Sequence, residues 1–420
     1  MEDAHLSLDL LAKLLSGGLE HDVLLTQVVP HFLARCPVCQ ERHQEILRLQ
    51  EEMGHWNEEV VVQESREAPE LWARLAVEPY TEQIRWVEEG EELHAWGLCQ
   101  FILTKSHEAV FENPAQAVDL ANLAVKIAAH LGDAYDPAWV LDLQARAFAY
   151  LGNARRVLGE LRSAEDAFQK AEKCLAQSGT GNTRIEAEVL DLQSSLRRAQ
   201  RRFKEALELV DRVLALYQER EDVHRIGKAL LQKAKILEES GDLKEAIDLL
   251  RQTEIDPTTE PRLFAYSRCN LGVCLVLADR YEEAEQLLPE IRGLLRETAQ
   301  PLDLIRLRWI EGNIHLGLGR LGPAEAAFRE AQREFLDRQM GFDAALVSID
   351  LAGLYAQEHC IDDLKRLAAE LMPIFQAQDV SREALGTLVL FQRACEDELL
   401  TAKMARELSD QLRKERRTVG

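Results

Sequence analysis

The stretch FAYLGNARRVLGELRSAEDAFQKA, Phe148 to Ala171, decides how this chain folds. Leu151-Gly152-Asn153 is a small-residue step inside one apolar-periodic segment, and Gly159 marks a turn. A second apolar-periodic segment then carries Ala164, Phe168 and Ala171. Apolar residues three or four apart share one helix face, so each segment reads as an amphipathic helix. Small residues let two antiparallel helices approach closely. A hairpin of this kind cannot bury both faces alone, so it must stack on others.

Weaker copies run outward in both directions. Ala117, Ala164, Ala206, Ala246, Ala284, Ala324 and Leu364 occupy the position that Ala164 holds, at a spacing close to 40 residues. Three residues before each stand Pro114, Leu161, Phe203, Leu243, Tyr281, Leu321 and Ile361, nearly all large and apolar. Small residues recur in the first segments at or near Gly152, Ala234, Gly272, Gly312 and Ala352. Breaks between copies carry turn residues, at Gly132-Asp133, Ser178–Asn182, Asp256-Pro257, Gln300-Pro301, Met340-Gly341 and Asp379–Ser381.

These residues resemble the tetratricopeptide repeat (TPR), most closely at Leu151-Gly152-Asn153, Gly159, Ala164, Phe168 and Ala171. Helices longer than the family consensus are similar to the arrays of bacterial regulators. The expected fold is all-α: a right-handed superhelix, or α-solenoid, of about seven TPR-like hairpins over 93–380. A C-terminal capping pair over 381–420 and a small N-terminal helical bundle complete it. In such arrays the first helices line a concave groove. Aligned on the repeat, the groove positions are Arg146, Asn153, Arg156, Ser195, Arg198, Lys228, Lys235, Arg306 and Asn313. Arginine grips carboxylates bidentately and asparagine pairs with extended backbone, so these residue types suit an acidic or C-terminal peptide. The competing reading pairs the same charges with Glu188, Glu238 and Glu311 on neighbouring helices.

The chain has 420 residues, 46% hydrophobic and 6% aromatic, with a formal net charge of −23. Leu, Ala, Glu and Arg favour helix. The negative charge argues against direct nucleic-acid binding. No apolar run is long enough for a membrane span. The N-terminus is acidic and lacks the order of a signal peptide. Eight scattered cysteines suit a reducing compartment, so a cytoplasmic location is expected. Oligomeric state is open.

Two segments lie outside the repeats. Residues 1–56 read as short helices around His31 and Cys36-Pro37-Val38-Cys39. Two thiolates of a CxxC turn and a histidine one helical turn earlier can meet at one tetrahedral zinc ion. The plainer alternative is a Pro37-capped turn with two small buried thiols and no metal. The motif resembles the zinc-binding anti-sigma-factor domain, with four residues between His31 and Cys36 where that family has three. The fourth ligand implied by that resemblance is His5, ahead of His21 or His43. Residues 57–92 form an acidic bridge containing Trp72 and Trp86, expected as a linker near 57–68 and short helices near 69–76 and 80–89, broken by Pro69 and Pro79.

No catalytic constellation stands out. GTGN at 179–182 lacks the lysine of a phosphate loop, and there is no His-Glu-x-x-His. Cys99 and His94, expected on one helix, read as packing. The first functional expectation is therefore a non-enzymatic scaffold that binds a protein or peptide in its groove. The alternative is an anti-sigma-like or peptide-sensing regulator whose groove controls the N-terminal module. A third is an accessory subunit of an assembly.

Overall fold

A computed structural model describes residues 58–376, except 111–112, 133–134, 299–300 and 339, together with parts of 391–411. The N-terminal bundle, with His5, His31, Cys36 and Cys39, lies outside the described residues, as do Ser381 and the basic tail from Arg413 to Arg417. Among the described residues the regular structure is entirely helical.

Two helices come first, α1 (Glu58–Leu75) and α2 (Tyr80–Glu89). Seven hairpins follow: α3/α4 (Trp96–Ala109, Pro114–His130), α5/α6 (Pro137–Val157, Leu161–Ser178), α7/α8 (Thr183–Ala199, Phe203–Glu219) and α9/α10 (Val223–Ser240, Leu243–Gln252). The last three are α11/α12 (Pro261–Leu277, Tyr281–Thr298), α13/α14 (Pro301–Gly317, Leu321–Asp337) and α15/α16 (Gly341–Gln357, Ile361–Gln376). All seven second helices begin on the large residue identified by the period. The alanine three positions on is fully buried in six of them, and Leu364 stands at 5% exposure in the seventh. That spot has room for a methyl group because the facing helix is so close.

The elbows share one device. Gly159, Arg201, Gly241, Asp279, Gly319 and His359 have φ between 54° and 96°, each two residues ahead of a second helix. At Gly159 the N–H donates to the Arg156 carbonyl, and the Glu160 N–H donates back to Arg155. The same two bonds recur at Arg201/Arg202, Gly241/Asp242, Asp279/Arg280 and Gly319/Arg320. This is the Schellman ending, in which a left-handed residue closes off the last helical carbonyls. Three elbows use a residue other than glycine. The period located these turns, but it could not say that Arg201, Asp279 and His359 take a backbone conformation that disfavours them.

The chain packs as two compact units. One comprises residues 1–154 with 163–189, the other 155–162 with 190–420. In the first, Leu98, Ile102, Leu103, Leu123, Ile127 and Leu143 form the core. Its acidic bridge departs from expectation: 58–75 is one helix through Pro69, helical where a linker is expected over 58–68. Val61, Ala68 and Leu75, seven residues apart, are buried along one side, while Pro69 is exposed. Burial of the stripe sustains the helix against the backbone hydrogen bond that the proline removes. At Gly97 a side-chain carbon would sit 2.5 Å from the α1 backbone at Glu64, so only glycine allows this approach.

In the second unit the second helices are amphipathic, whereas α11, α13 and α15 are apolar on more than one side. These first helices are sandwiched, since α9 packs on α11, α11 on α13 and α13 on α15. Beyond α16, Phe391 and Cys395 are buried in the cluster around α15, and Ser409 Oγ donates to Asp350 at 2.9 Å.

Two substitutions test this packing. A methyl group on Gly312 would meet the buried Phe328 ring at 2.6 Å, while one on Gly272 would meet only the flexible end of Ile291 at 3.3 Å. Gly312→Ala should cost about 1–3 kcal/mol through overpacking. Gly272→Ala should be neutral or gain up to about 1 kcal/mol from helix propensity. Urea unfolding compares the two, and equal stabilities would contradict the close approach. His359→Gly, exposed and left-handed, should raise the thermal midpoint by relieving a cost of about 1–2 kcal/mol, less the entropy of glycine.

Candidate binding face

The expected groove residues fall on first helices in both units. In the first unit Arg146, on α5, is 3% exposed. Its Nε lies 3.0 Å from Glu188 of α7, and its guanidinium stacks 5.5 Å from the Tyr150 ring centroid. Tyr150 donates its hydroxyl to the other Glu188 oxygen at 2.6 Å. Asn153, two turns after Arg146, is 6% exposed. One turn before Arg146 sits Asp142, fully buried, accepting a 2.6 Å bond from the Thr180 hydroxyl. Burial pushes its carboxyl pKa up, opposed by the hydroxyls of Thr180 and Ser178.

In the second unit Arg156 of α5, Arg198 of α7 and Glu239 of α9 come together. Arg198 Nη1 donates to Glu239 at 2.8 Å, and Glu239 is 3% exposed at its side chain. Arg156 is almost wholly buried. Its pKa is lowered to about 10, first by burial and then by the Arg198 charge, with Glu239 working the other way. Arg156 is therefore still cationic at neutral pH. Two guanidinium groups share the field of one buried carboxylate, and the Nε of Arg198 is itself buried without a hydrogen-bond partner. Ser195, one turn before Arg198, is half-buried.

The remaining expected positions are less concentrated. Lys235 is half-buried and bonds Glu238, its own neighbour on α9, at 2.7 Å. Lys228, two turns earlier, is exposed. On α13, Arg306 is exposed, and the Asn313 amide donates to the Trp309 carbonyl of the same helix at 3.0 Å. So Arg146, Arg198 and Lys235 hold carboxylate partners, and Glu188 and Glu238 are among those partners. Glu311 is engaged instead by Arg292 and Arg308.

Residue type alone did not point to Glu239. The repeat itself carries a signal for it. Arg198 and Glu239 are 41 positions apart, as are Gln232 and the Asp191 carbonyl it bonds, and Trp309 and Asp350. Contacts between consecutive first helices thus recur at one repeat length, and a scan for opposite charges at that offset finds the pair.

The described cysteines are not poised as nucleophiles. Cys99 is fully buried with its thiol pKa pushed well up by burial, and it donates to the Ala124 carbonyl. His94 precedes α3, where Cys99 lies, and stacks on His130 with its Nε2 2.7 Å from the Val87 carbonyl. Cys269 and Cys274 are both pushed up to about 12, chiefly by burial. Protonated thiols at neutral pH attack and ligate poorly. Among the described residues no three His, Cys, Asp or Glu side chains are grouped to hold a metal ion. No described helix is long and apolar enough to cross a membrane.

No protein-family model and no curated protein sequence matches this chain. Solved structures do. A Rap protein complexed with competence and sporulation factor is 13% identical over 74% of this chain and 88% of its own, with a TM-score of 0.53. Apo RapI is 17% identical, covering 63% and 99%, at 0.44. Aspartyl phosphate phosphatase F from Bacillus subtilis is 14% identical, covering 83% and 97%, at 0.45. At these identities the likeness is one of fold. The Rap protein, whose TM-score exceeds 0.5, shares with this chain an all-α fold of stacked helical hairpins.

Asp142 offers a pH test. A carboxyl whose folded pKa is raised binds its proton more tightly in the native state, so stability falls as pH rises from the unfolded value of about 3.9 through the folded one. Asp142→Asn removes that dependence while keeping an acceptor for Thr180. The stability of the variant relative to the parent should climb with pH above about 4 and level off once Asp142 is ionised in the fold. A difference that stays flat across the titration would show that burial is not raising this pKa.

Proposed function

We propose that this chain is a non-enzymatic regulatory scaffold that binds an acidic peptide segment on its first-helix face. The observation that carries the reading is the convergence of two cations, Arg156 and Arg198, on the field of the buried Glu239 carboxylate. Arg198 is part-exposed, so its guanidinium edge can be reached by an incoming anion. A peptide carboxylate supplies it with two oxygens, and charge-assisted hydrogen bonds of this kind are the strong ones. Lys228, exposed on α9, adds a further cation to the same helix set.

The fold gives independent support. The Rap protein of similar fold was crystallised with competence and sporulation factor, so stacked hairpins of this kind accommodate a bound factor. A regulator in which occupancy of this face alters a second module is the finer version of the same function. The acidic partner is the part specific to this chain's own residues.

Fluorescence anisotropy with a capped hexapeptide alternating Glu and Leu, against the same peptide with Lys for Glu, tests the proposal on the full chain. The acidic peptide should bind more tightly, and Arg198→Ala should weaken it about tenfold, near 1.4 kcal/mol. Equal binding of the two peptides, or an unchanged affinity in the variant, would refute it.

A further inference from the structure

A second arginine site lies on the other side of the first helices. Arg306 and Asn313 mark one side of α13. Leu304, Arg308 and Glu311 fall at i, i+4 and i+7, displaced from that line by two positions, about 200° around a helix of 3.6 residues per turn. On this opposite side, α12, α13 and α14 line an open cleft of about 420 Å³. Its apolar lining includes Leu304, Ile305, Leu307 and Ala331; arginines come from α12, α13 and the residue after α14, and Glu311, Glu330 and Glu334 line it too.

Glu311 organises the charged part. Its side chain is 4% exposed, and it holds two arginines at once. Arg292 reaches one carboxylate oxygen through Nε and Nη2, both at 2.7 Å. Arg308 reaches the other through Nη1 at 2.6 Å, and its Nε lies 3.0 Å from Glu330. Each guanidinium carries five N–H donors, more than one buried carboxylate can accept from two of them. Nη1 of Arg292 and Nη2 of Arg308 stay outside these pairs, and both side chains are nearly half exposed. Arg296, one turn beyond Arg292, is exposed and lines the same cleft. Arg338 is tied to Glu334 at 2.6 Å at the far side.

We propose that this cleft binds a small amphipathic oxyanion, a carboxylate or phosphate monoester with a short apolar chain. The oxyanion sits among Arg292, Arg296 and Arg308, the first and last of which Glu311 holds in position before any ligand arrives. The apolar chain lies against Leu304, Ile305 and Leu307. The volume falls within the range of small-molecule sites, about 300–1,000 Å³, and exceeds what a bare phosphate needs. Held arginines lose little entropy on binding, which is the advantage of preorganisation.

Calorimetric titration of the full chain with hexanoate, hexyl phosphate and inorganic phosphate at low salt tests this. Hexanoate or hexyl phosphate, whichever anion the site prefers, should bind with a dissociation constant of about 1 mM or tighter. Inorganic phosphate should bind at least several-fold more weakly. Arg296→Ala, which removes no ion pair seen among the described residues, should weaken the preferred probe about tenfold, and Arg296→Lys should restore part of the loss. Arg198→Ala, in the peptide site proposed above, should leave the probe affinity unchanged, so the two proposals fail separately. Failure of both alkyl probes to bind, equal affinity for inorganic phosphate, or wild-type binding by Arg296→Ala would each overturn the assignment.

Discussion

The close approach of the two helices in each hairpin is the constraint on which the rest depends. Ala164 and Ala324 are fully buried, and Gly152 and Gly312 lie flat against the rings of Phe168 and Phe328. A ring packed against a glycine leaves no space for a methyl group, so helix separation is set by side-chain volume rather than by hydrogen bonds between helices. Once that separation is fixed, α11, α13 and α15 are hemmed in by a second helix and by neighbouring first helices. They bury more than one side, and their polar groups are confined to the narrow stripes that remain. The positions able to bind a ligand are thus a consequence of packing before they are a choice of chemistry.

Much of this was legible in the chain because volume and period leave marks in sequence. A small residue followed at about 40 positions by another, nearly always preceded by a large one, locates seven second helices to within a turn. What the pattern could not show is conformation that the residue type opposes. Nothing about Arg201, Asp279 or His359 announces a left-handed backbone, whereas Gly159 and Gly319 do. The opposite error arose at Pro69. Proline usually ends a helix, but here, with Ala68 buried beside it, burial outweighs the lost bond and α1 continues. Local rules failed where tertiary burial outweighed them.

The binding face was legible in kind and not in arrangement. Arg146, Arg156 and Arg198 are on first helices, as the alignment required, but the first two are buried and the third only part-exposed. Their electrostatics depend on partners a whole repeat away. Glu188 serves Arg146 and Tyr150 together, and Glu239 sits between Arg198 and the charge of Arg156. A reading that treats each helix as a unit misses these pairs, because a solenoid places its tertiary neighbours at the repeat offset. The local charge is a property of two adjacent repeats.

One electrostatic arrangement occurs twice in the second unit. A buried glutamate on a first helix, Glu239 or Glu311, lies within the field of two arginines. A buried carboxylate is costly unless paired, and a second cation compensates it further. These arginine clusters sit in a chain whose formal charge is −23. The two fields differ in range. The net negative charge repels an approaching anion from afar, and salt at physiological strength screens it beyond about 8 Å. The arginine pairs act at hydrogen-bond distance, partly shielded from water, where screening is weak. Adding salt to a dilute buffer therefore removes repulsion before it removes attraction. An anion that gains no close contact stays excluded, while one that fits between the guanidinium groups is retained. On the proposed reading, overall acidity and local basicity act together, and selectivity for a shaped anion over anions in general would follow from the difference in their range.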